Sequence, residues 1–451
     1  MFIPHSDDER EAMLRVIGVE KLEDLFRDVP AEFRFPQLNL PPALTEMEIA
    51  DELNELAYAN ESTRDLACFL GAGAYNHYVP AAVDAIIRRG EFLTAYTPYQ
   101  PEVSQGTLQA IFEYQSLIAN LTGMDVSNAS HYDGATATAE AAVMAYHNFR
   151  GKRTKILMAH TVHPHYRQTV RTYLQGYTDI IIEGDDVLGD ALDSPCNTLT
   201  GQIDANTALV VVQYPDFFGR MYDYTEMVQA AHAQGALVCI VTNPIALGLI
   251  KAPGAFDADI VVGDGQPLGI PLSYGGPYLG IFAVKKDYVR KIAGRLVGET
   301  IDGQGRRAYV LTLTAREQHI RREKATSNIC TNVGLIALAS TVYMSLLGKH
   351  GLRKVAELCY QKAHYAAEEI ASIPGFSVCS GAPYFHEFIV CCPTSVEEIN
   401  AHLLEHNILG GYDLSQDYPA MKNQMLLAVT EMNSRDQIDA LVDALKEFSD
   451  D

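Results

Sequence analysis

Short apolar runs alternate with amphipathic segments through the middle of the chain. The apolar runs are rich in β-branched residues and read KILMAH, DIIIE, ALVVVQYP, LVCIVTN, DIVVGDG and YLGIFAV. Segments with helical spacing, such as YTEMVQAAHAQG, lie between them. Continuous apolar strands that alternate with helices are typical of a mostly parallel, doubly wound sheet covered on both faces. We therefore predict an α/β fold, in which ligands gather at the carboxyl ends of the strands.

The first part of the chain has a different pattern. Ser6-x-x-Glu9 and Thr45-x-x-Glu48 each precede apolar residues at helical spacing, which is typical of a capping box that opens an amphipathic helix. The Pro-rich stretch between them, PAEFRFPQLNLPPAL, cannot stay helical for long. Residues 1–62 are therefore predicted to form helices joined by an extended arm, a form suited to lying on a neighbouring surface.

A chain of 451 residues is too long for one compact core, so a second domain is expected. The long helical pattern GLIALASTVYMSLLG leads to short strands that alternate with helices capped at Ser395 and Ser434. We predict a large α/β domain over residues 63–325, and a linking helix with a small α+β domain over residues 326–451.

Charge and composition narrow the functional class. The chain has 57 acidic against 34 basic residues, which argues against nucleic acid, because phosphate binding needs clustered Lys and Arg. No apolar run reaches the roughly 18 residues of a membrane span, and the acidic start MFIPHSDDERE resembles no targeting signal. We expect a cytoplasmic protein without membrane or nucleic-acid partners. The eight cysteines form no CxxC pair and are expected to be reduced.

Two groups of histidines could bind a metal: the first is His160, His163 and His165, and the second is His402 and His406. The first group follows an apolar run, but no carboxylate lies within it and its proline would splay the rings, so stacking on an aromatic ring is the better interpretation. The second pair is spaced for one helix face and has no third ligand nearby in the sequence, which indicates a solvated face. We predict no metal site.

Two stretches are candidate binding elements. YDGATATAEA places Gly134 and Thr136 at the start of an alanine-rich helix, where free N–H groups and hydroxyls can hold a phosphate; the same residues can also simply cap the helix. AYTPYQP holds Tyr96, Tyr99 and Gln100 in an extended, Pro-flanked loop. This loop indicates either interface packing or the lining of an active site.

A basic segment, REQHIRREKATSNICTNVG, precedes the long helix and is the predicted domain hinge. Its cations stand out in so acidic a chain and indicate either a solvated face or a contact with a partner or carboxylate. They are Arg316, Arg321, Arg322 and Lys324.

The stretch VVGDGQPLGIPLSYGGPYLG joins two predicted strands through a loop rich in Gly and Pro. In pyridoxal-phosphate enzymes of the aspartate-aminotransferase fold, the Schiff-base lysine follows a strand of this kind and meets the cofactor aldehyde there. No lysine lies between Lys251 and Lys285, and Gln266 takes the position. The chain is similar to such a scaffold without its central nucleophile.

Long stretches of the chain resemble one family: AYTPYQPEVSQGTLQAIFEYQ, GMDVSNAS with YDGATATAEA, VVGDGQPLGIPLSYGGP and REQHIRREKATSNICTN. The chain is similar over nearly its whole length to the alpha subunits (subunit 1) of the two-chain glycine dehydrogenase (decarboxylating), the P-protein of the glycine cleavage system. The resemblance implies the aspartate-aminotransferase type of fold. It also implies a complex in which pyridoxal phosphate forms an imine with glycine, carbon dioxide leaves, and the aminomethyl group passes to lipoamide on the H-protein.

In this family the beta subunit (subunit 2) carries the cofactor lysine. The family's beta-type pattern HKTFSIPHGGGG, laid over GQPLGIPLSYGG through Ile-Pro, puts Gln266 at the lysine, and Gln cannot form an imine. Asn243 stands where an Asp would pair with the pyridinium nitrogen, and a neutral amide would not hold that nitrogen protonated. The resemblance therefore implies that this chain binds no cofactor and that some cofactor-site residues are vestigial, namely Gly134, Thr136, His160 and His163.

Three hypotheses follow for the function. In the leading one, the chain pairs with a beta subunit, as an αβ pair that could be doubled, and the loop with Tyr96, Tyr99 and Gln100 completes the beta active site. In the second, the chain is a stand-alone pyridoxal-phosphate enzyme that uses Lys251 or Lys285. In the third, it is a scaffold or regulator without a catalytic contribution.

Overall fold

The computed structural model describes residues 4–185, 194–379 and 381–448. These residues form two compact units, Met1–Glu61 and Ser62–Asp451. The predicted boundary near residue 62 lies beside the division between the units, whereas the predicted division at residues 325 and 326 lies inside the second unit and stays a prediction.

The first unit contains helices α1 (Asp7–Ile17) and α2 (Glu46–Tyr58). Both begin with the predicted capping box, in which the N-cap hydroxyl accepts from the N3 amide and the N3 carboxylate accepts from the N-cap amide. No described residue of 4–61 is buried. Its large apolar side chains are exposed, among them Val16, Ile17, Phe33, Phe35, Leu38, Leu40, Met47, Leu53, Leu56 and Tyr58.

The described part of the second unit is built on a sheet of seven strands in the order β2-β8-β7-β6-β5-β3-β4. Strands β3 to β7 run parallel to one another, and β8 runs antiparallel to both β7 and β2. The strands are β2 (Val126–Ser127), β3 (Lys155–Met158), β4 (Ile181–Glu183), β5 (Thr207–Tyr214), β6 (Leu237–Thr242), β7 (Ile260–Asp264) and β8 (Gly280–Val284). The predicted mostly parallel α/β sheet is confirmed.

Helices pack on this sheet, because their apolar residues form one core with the buried residues of its strands. Those of the large α/β part are α3 (Ala81–Ile87), α4 (Gly90–Leu93), α5 (Gln105–Thr122), α6 (Gly134–Asn148), α7 (Pro164–Leu174), α8 (Pro195–Leu199), α9 (Thr225–Ala233) and α10 (Gln318–Arg321). Helix α6 is rich in alanine and almost fully buried, so it packs closely on the strands β5 to β8.

The C-terminal part follows the long helix α11 (Gly334–Ala371), whose helical geometry is interrupted at Gly348. A sheet of four described strands has the order β11-β12-β15-β14 and packs with α12 and α13. These elements are β11 (Ser377–Val378), β12 (Glu387–Cys391), β14 (Tyr412–Asp413), β15 (Gln424–Ala428), α12 (Val396–Glu405) and α13 (Arg435–Lys446). Two further short strands, β1 (Ala67–Cys68) and β13 (Ile408–Leu409), pair in parallel.

Helix α11 is long and apolar enough, by length and composition alone, to cross a membrane. Its residues Ala337, Leu338 and Tyr343 are buried. Ala337 and Tyr343 belong to the large core cluster around the seven-stranded sheet. The central helix of a globular fold has the same properties.

The expectation that all cysteines are reduced is wrong for one pair. The Cys379 and Cys391 sulfurs are bonded, with their Cα atoms 6.3 Å apart. No local sequence pattern marks this pair, because the two cysteines meet only when β11 and β12 align as antiparallel neighbours. The other six described cysteines are free.

A hairpin of β9 (Leu296–Ile301) and β10 (Arg307–Thr312) was not among the predicted elements. Only the first two residues of β9 are buried, and β10 is mostly half-exposed. Without a continuous apolar run the hairpin lacks the pattern that marks a core strand.

Candidate functional site

The carboxyl ends of the parallel strands meet at a small cavity. It lies where β5, β6 and β7 end and is lined by Gly73, Tyr75, His163, Tyr166, Gln213, Val241, Thr242, Asn243, Asp264 and Pro267. Its volume is about 30 Å³. Two of the residues predicted from the sequence, His163 and Asn243, are therefore brought together at the edge where such folds place a ligand.

Gln266 directly precedes the cavity residue Pro267 in the chain and is fully buried. Its Nε2 donates to the Tyr75 carbonyl at 2.9 Å and to the Ile270 carbonyl at 2.8 Å, and its Oε1 accepts from the Tyr75 N–H at 2.9 Å. The side chain at the predicted lysine position thus holds the segment around Tyr75 against the loop after β7. This amide is a structural clamp, because both ends are already hydrogen-bonded.

Asn243 follows β6, at the position that the sequence analysis predicts for the carboxylate that pairs with a pyridinium nitrogen. Its Oδ1 accepts from the Ile245 N–H at 3.0 Å, and its Nδ2 is buried without a hydrogen-bond partner among the described residues. A neutral amide engaged with its own backbone turn offers no negative charge to a ring nitrogen.

The start of α6, the predicted phosphate cup, is occupied by side chains of the chain itself. Thr136 N–H donates to the N-cap Asp133 at 2.7 Å, and Gly134 N–H donates to Asp264 Oδ2 at 3.0 Å. A Cβ on Gly134 would collide with Tyr166 Oη. The helix N-terminus thus already holds a carboxyl group where a phosphate would bind.

Asp264 lines the cavity, although the sequence analysis did not single it out as a site residue. It keeps accessible surface where it lines the cavity, but desolvation by the surrounding protein raises its pKa to about 7 despite hydrogen bonds from the Gly134 and Gln266 amides. Asp133 nearby raises the pKa further. A second anion such as a phosphate would add to this repulsion.

His163 stacks on an aromatic ring, as predicted. Its ring lies 4.8 Å from that of Tyr166 at an interplanar angle of 21°, and its Nε2 is 2.8 Å from the Ala72 carbonyl. Burial lowers the pKa of His163 to about 4, so the ring is neutral near pH 7. His160 is buried and its carbonyl accepts from the Tyr418 hydroxyl at 2.8 Å, so it supports the junction with the C-terminal part.

Pyridoxal phosphate does not fit the residues present in this chain. About 30 Å³ accommodates a water molecule or two and not a substituted pyridine ring. The imine-forming amine is replaced by a hydrogen-bonded amide at Gln266, and the helix start is filled by Asp264 and Tyr166. The site is closed by its own side chains, and no chemical step is assigned to it.

The loop with Tyr96 and Tyr99 lies apart from this cavity. Tyr96 is 80% exposed, and no hydrogen bond to its hydroxyl is found among the described residues. Tyr99 is 50% exposed and its hydroxyl accepts from Arg295 Nη2 at 3.0 Å, while Gln100 is exposed. Tyr96 also borders an apolar cavity of about 140 Å³ next to the start of α11. The two phenols therefore have different surroundings.

Two clusters contain metal-ligand side chains within reach of one another. The expectation that His402 and His406 lack a third ligand is wrong, because Glu447 lies 3.4 Å from His402 and 3.8 Å from His406. Helix α13 brings this carboxylate near, which sequence spacing could not show. The other cluster is His77, Cys359 and Glu431, in which His77 Nδ1 and Glu431 are already hydrogen-bonded at 2.7 Å.

Solved structures define the class of the fold. A glutamate decarboxylase of Lactobacillus brevis superposes with a TM-score of 0.68 at 14% identity, covering 92% of this chain and 96% of that chain. A crystal structure of glycine decarboxylase (P-protein) of the glycine cleavage system, in inhibitor-bound form, superposes with a TM-score of 0.89 at 42% identity and covers 99% of both chains. The fold is that of pyridoxal-phosphate-dependent enzymes of fold type I, as predicted.

A family model and relatives of higher sequence identity show the family to which the chain belongs. The model of the family described as "Glycine cleavage system P-protein" matches residues 1–445. A "Probable glycine dehydrogenase (decarboxylating) subunit 1" of Thermomicrobium roseum is 57% identical over 447 residues, which are 99% of both chains. The chain belongs to the P-protein family of the glycine cleavage system, as an alpha subunit of glycine decarboxylase. The numbering of the subunit in its relatives' names implies a two-subunit complex.

Proposed function

We propose that this chain is the cofactor-free half of a glycine decarboxylase and that its partner beta subunit binds pyridoxal phosphate. The single observation that carries the proposal is the closure of the chain's own site by Gln266 and Asp264. In the complex the cofactor would withdraw electrons from the carbanion left by decarboxylation. This chain's residues contribute by binding and shaping the partner's site, with glycine and the lipoyl arm of the H-protein as the substrates.

The stand-alone alternative requires a lysine near the cavity. Lys285 follows β8, which runs antiparallel to β7 so that Val284 faces Ile260 and Gly280 faces Asp264. Lys285 therefore lies at the opposite end of the strand from Asp264, on the order of 13 Å away along β7. It is also bound to Asp257 at 2.8 Å and Asp259 at 2.9 Å. Lys251 is not among the residues that line the cavity.

Two surfaces support the idea of a protein partner. The described residues of 4–61 expose many large apolar side chains, a property that marks protein interaction sites in soluble proteins. The free hydroxyl of Tyr96, on a Pro-flanked loop beside an apolar cavity, is the group of this chain best placed to enter a partner's site. We propose Tyr96 as the contributor, with Tyr99 and Gln100 positioning the loop.

The test is to trap the cofactor and identify the subunit that carries it. The chain alone, the beta subunit alone and the mixed complex are incubated with pyridoxal phosphate and reduced with borohydride, and the labelled peptide is found by mass spectrometry. We expect a pyridoxyl-lysine in the beta subunit and none in this chain. A labelled Lys251 or Lys285, together with decarboxylation by the chain alone, would establish the stand-alone enzyme instead.

A further inference from the structure

A second cavity of this chain, of about 520 Å³, lies outside the closed site and outside the Tyr96 loop. Four short stretches form its wall: the end of α6, the turn before β9, the segment around α10 and the residues that follow it. Its size falls within the range of about 300–1,000 Å³ that small-molecule sites occupy. A neighbouring cavity of about 350 Å³ shares Thr326, Ser327 and Ile329 of the wall.

The wall of this cavity is strongly basic in a chain whose net charge is −23. Six cations line it: Arg150, Arg290, Lys291, Arg316, Arg321 and Lys324. Three of them belong to the basic segment singled out in the sequence, whereas Arg322 of that segment is not part of the wall. The solvated-face interpretation therefore does not account for all of this segment.

None of the six cations forms an ion pair with a described carboxylate within 4.0 Å. With 57 acidic residues available, six cations gathered in one place without a described acidic partner are unexpected, although Lys291, Arg316 and Arg321 donate hydrogen bonds to uncharged oxygens. Glu317 is the one acidic residue among the described residues of the wall, and its carboxylate lies 3.8 Å from the buried Arg295. Unpaired like charges repel one another, so their gathering around a concave surface favours an anionic ligand.

Arg316 supplies the innermost donors. It is partly buried, and its Nη1 donates to the Ile292 carbonyl at 2.6 Å. Its Nε and Nη2 are buried without a hydrogen-bond partner among the described residues. Buried charged donors without acceptors are unfavourable, so an anion that accepts hydrogen bonds from them would stabilise the site.

We propose that this cavity binds a small molecule that carries phosphate groups. Arginine forks match phosphate oxygens with two parallel hydrogen bonds, and each phosphate brings more negative charge and more acceptors than a carboxylate does. Lys324 and Arg321, which are exposed at the rim, attract the ligand, and Arg316 binds it at the wall. The site is independent of the closed cofactor cavity and of the proposed contribution of Tyr96.

The experiment measures binding of inorganic pyrophosphate to the full chain by titration calorimetry, with citrate and polyglutamate as competing anion classes. We expect saturable binding of one pyrophosphate with a Kd below about 1 mM. Two variants test the location: Arg321→Gln with Lys324→Gln removes exposed rim charges without touching the core, and Arg316→Gln removes the inner donors. Each should weaken binding by about tenfold or more.

The matched control removes the same number of charges elsewhere. Lys349→Gln with Lys354→Gln changes two exposed lysines of α11 that also lack a described ion pair, and it should leave the Kd unchanged within about twofold. Absence of saturable pyrophosphate binding overturns the proposal. So does equal weakening by the control pair, which would show only an effect of net charge. Tighter binding of citrate or polyglutamate than of pyrophosphate overturns the assignment to phosphate.

Discussion

The side-chain amide of Gln266 forms hydrogen bonds with both the backbone N–H and the backbone carbonyl of Tyr75. Oε1 accepts from the Tyr75 N–H and Nε2 donates to the Tyr75 carbonyl, each at 2.9 Å. A lysine at this position could make neither the accepted bond nor the two-sided pairing. The side chain at the predicted lysine position is therefore part of the packing that closes the site.

The first prediction concerns Gln266→Lys. The variant introduces a charged amine into a fully buried position and loses the hydrogen bond that Oε1 accepts from the Tyr75 N–H, so the free energy of unfolding should fall by about 3 kcal/mol. It should show no glycine decarboxylation without the beta subunit, because the phosphate and ring contacts are also missing. Urea unfolding and a carbon dioxide release assay measure the two effects. Gln304→Lys, at an exposed turn, is the control and should unfold like the wild type.

Activity of Gln266→Lys in the absence of the beta subunit would contradict this account. It would mean that one residue separates the closed site from a working one.

A second prediction tests whether Tyr166 fills the helix start. Gly134→Ala places a Cβ against Tyr166 Oη and 2.8 Å from the Asp264 amide nitrogen, so it should lower the free energy of unfolding by about 1–3 kcal/mol. Gly106→Ala in α5 meets nothing within 4 Å and should instead stabilise by about 0.5–1 kcal/mol. Equal effects of the two substitutions on the urea midpoint would show that the helix start is open.

The third prediction is a pH dependence caused by Asp264. Burial raises its pKa to about 7, above the value of about 3.9 for an unfolded aspartate. The folded state thus retains the proton, so the stabilising contribution is fully present below about pH 4 and is lost as the pH rises through about 7. Relative to Asp264→Asn, which stays neutral, the wild type should lose stability between about pH 4 and pH 7.

The control for this measurement is Asp302→Asn. The pKa of Asp302 is lowered by hydrogen bonds from the Arg306 amide and side chain, so its contribution changes only at acidic pH. Its difference from the wild type should stay constant over the same range. If the curve for Asp264→Asn also runs parallel to the wild type, Asp264 is ionised in the folded protein and the assignment of a raised pKa is wrong.

A fourth prediction separates the two phenols of the loop. Tyr96→Phe removes a hydroxyl without a described partner, so stability and assembly should be unchanged while turnover of the αβ complex falls by about 5- to 150-fold, the effect of one lost hydrogen bond. Tyr99→Phe leaves Arg295 Nη2 without its acceptor and should lower stability by about 1–3 kcal/mol. Full activity of the Tyr96→Phe complex would exclude its hydroxyl from the partner's chemistry.

Much of the fold can be predicted from the sequence because local patterns determine it. The strands β3 and β5 to β8 are continuous apolar runs, and the boxes at Ser6 and Thr45 fix the starts of two helices. The hairpin β9–β10 and the Cys379–Cys391 pair are missing from the prediction because each depends on which strands become neighbours. Which strands pair with each other cannot be read from the spacing of apolar and polar residues within each strand.

The candidate site, like the fold, can be predicted from the sequence only in part. The absence of a lysine at Gln266 and the neutral Asn243 can be read directly from the chain. The filling of the helix start cannot, since Gly134 and Asp264 are separated by 130 residues and meet only after the sheet has formed. The sequence therefore predicts that this chain binds no cofactor, and the structure adds that Asp264 accepts the hydrogen bond from Gly134 at the helix start, while the Gln266 amide is hydrogen-bonded to backbone carbonyls.

We propose that each αβ pair holds one cofactor, in the beta subunit, because the site of this chain is closed. The direct measurement is the amount of pyridoxal phosphate released by alkali from the purified, active complex, divided by the amount of αβ pair, determined by quantitative amino-acid analysis. We expect one pyridoxal phosphate per αβ pair. When this chain is dialysed without the beta subunit, we expect it to retain none. A ratio of two, or retention of the cofactor by this chain alone, would contradict it.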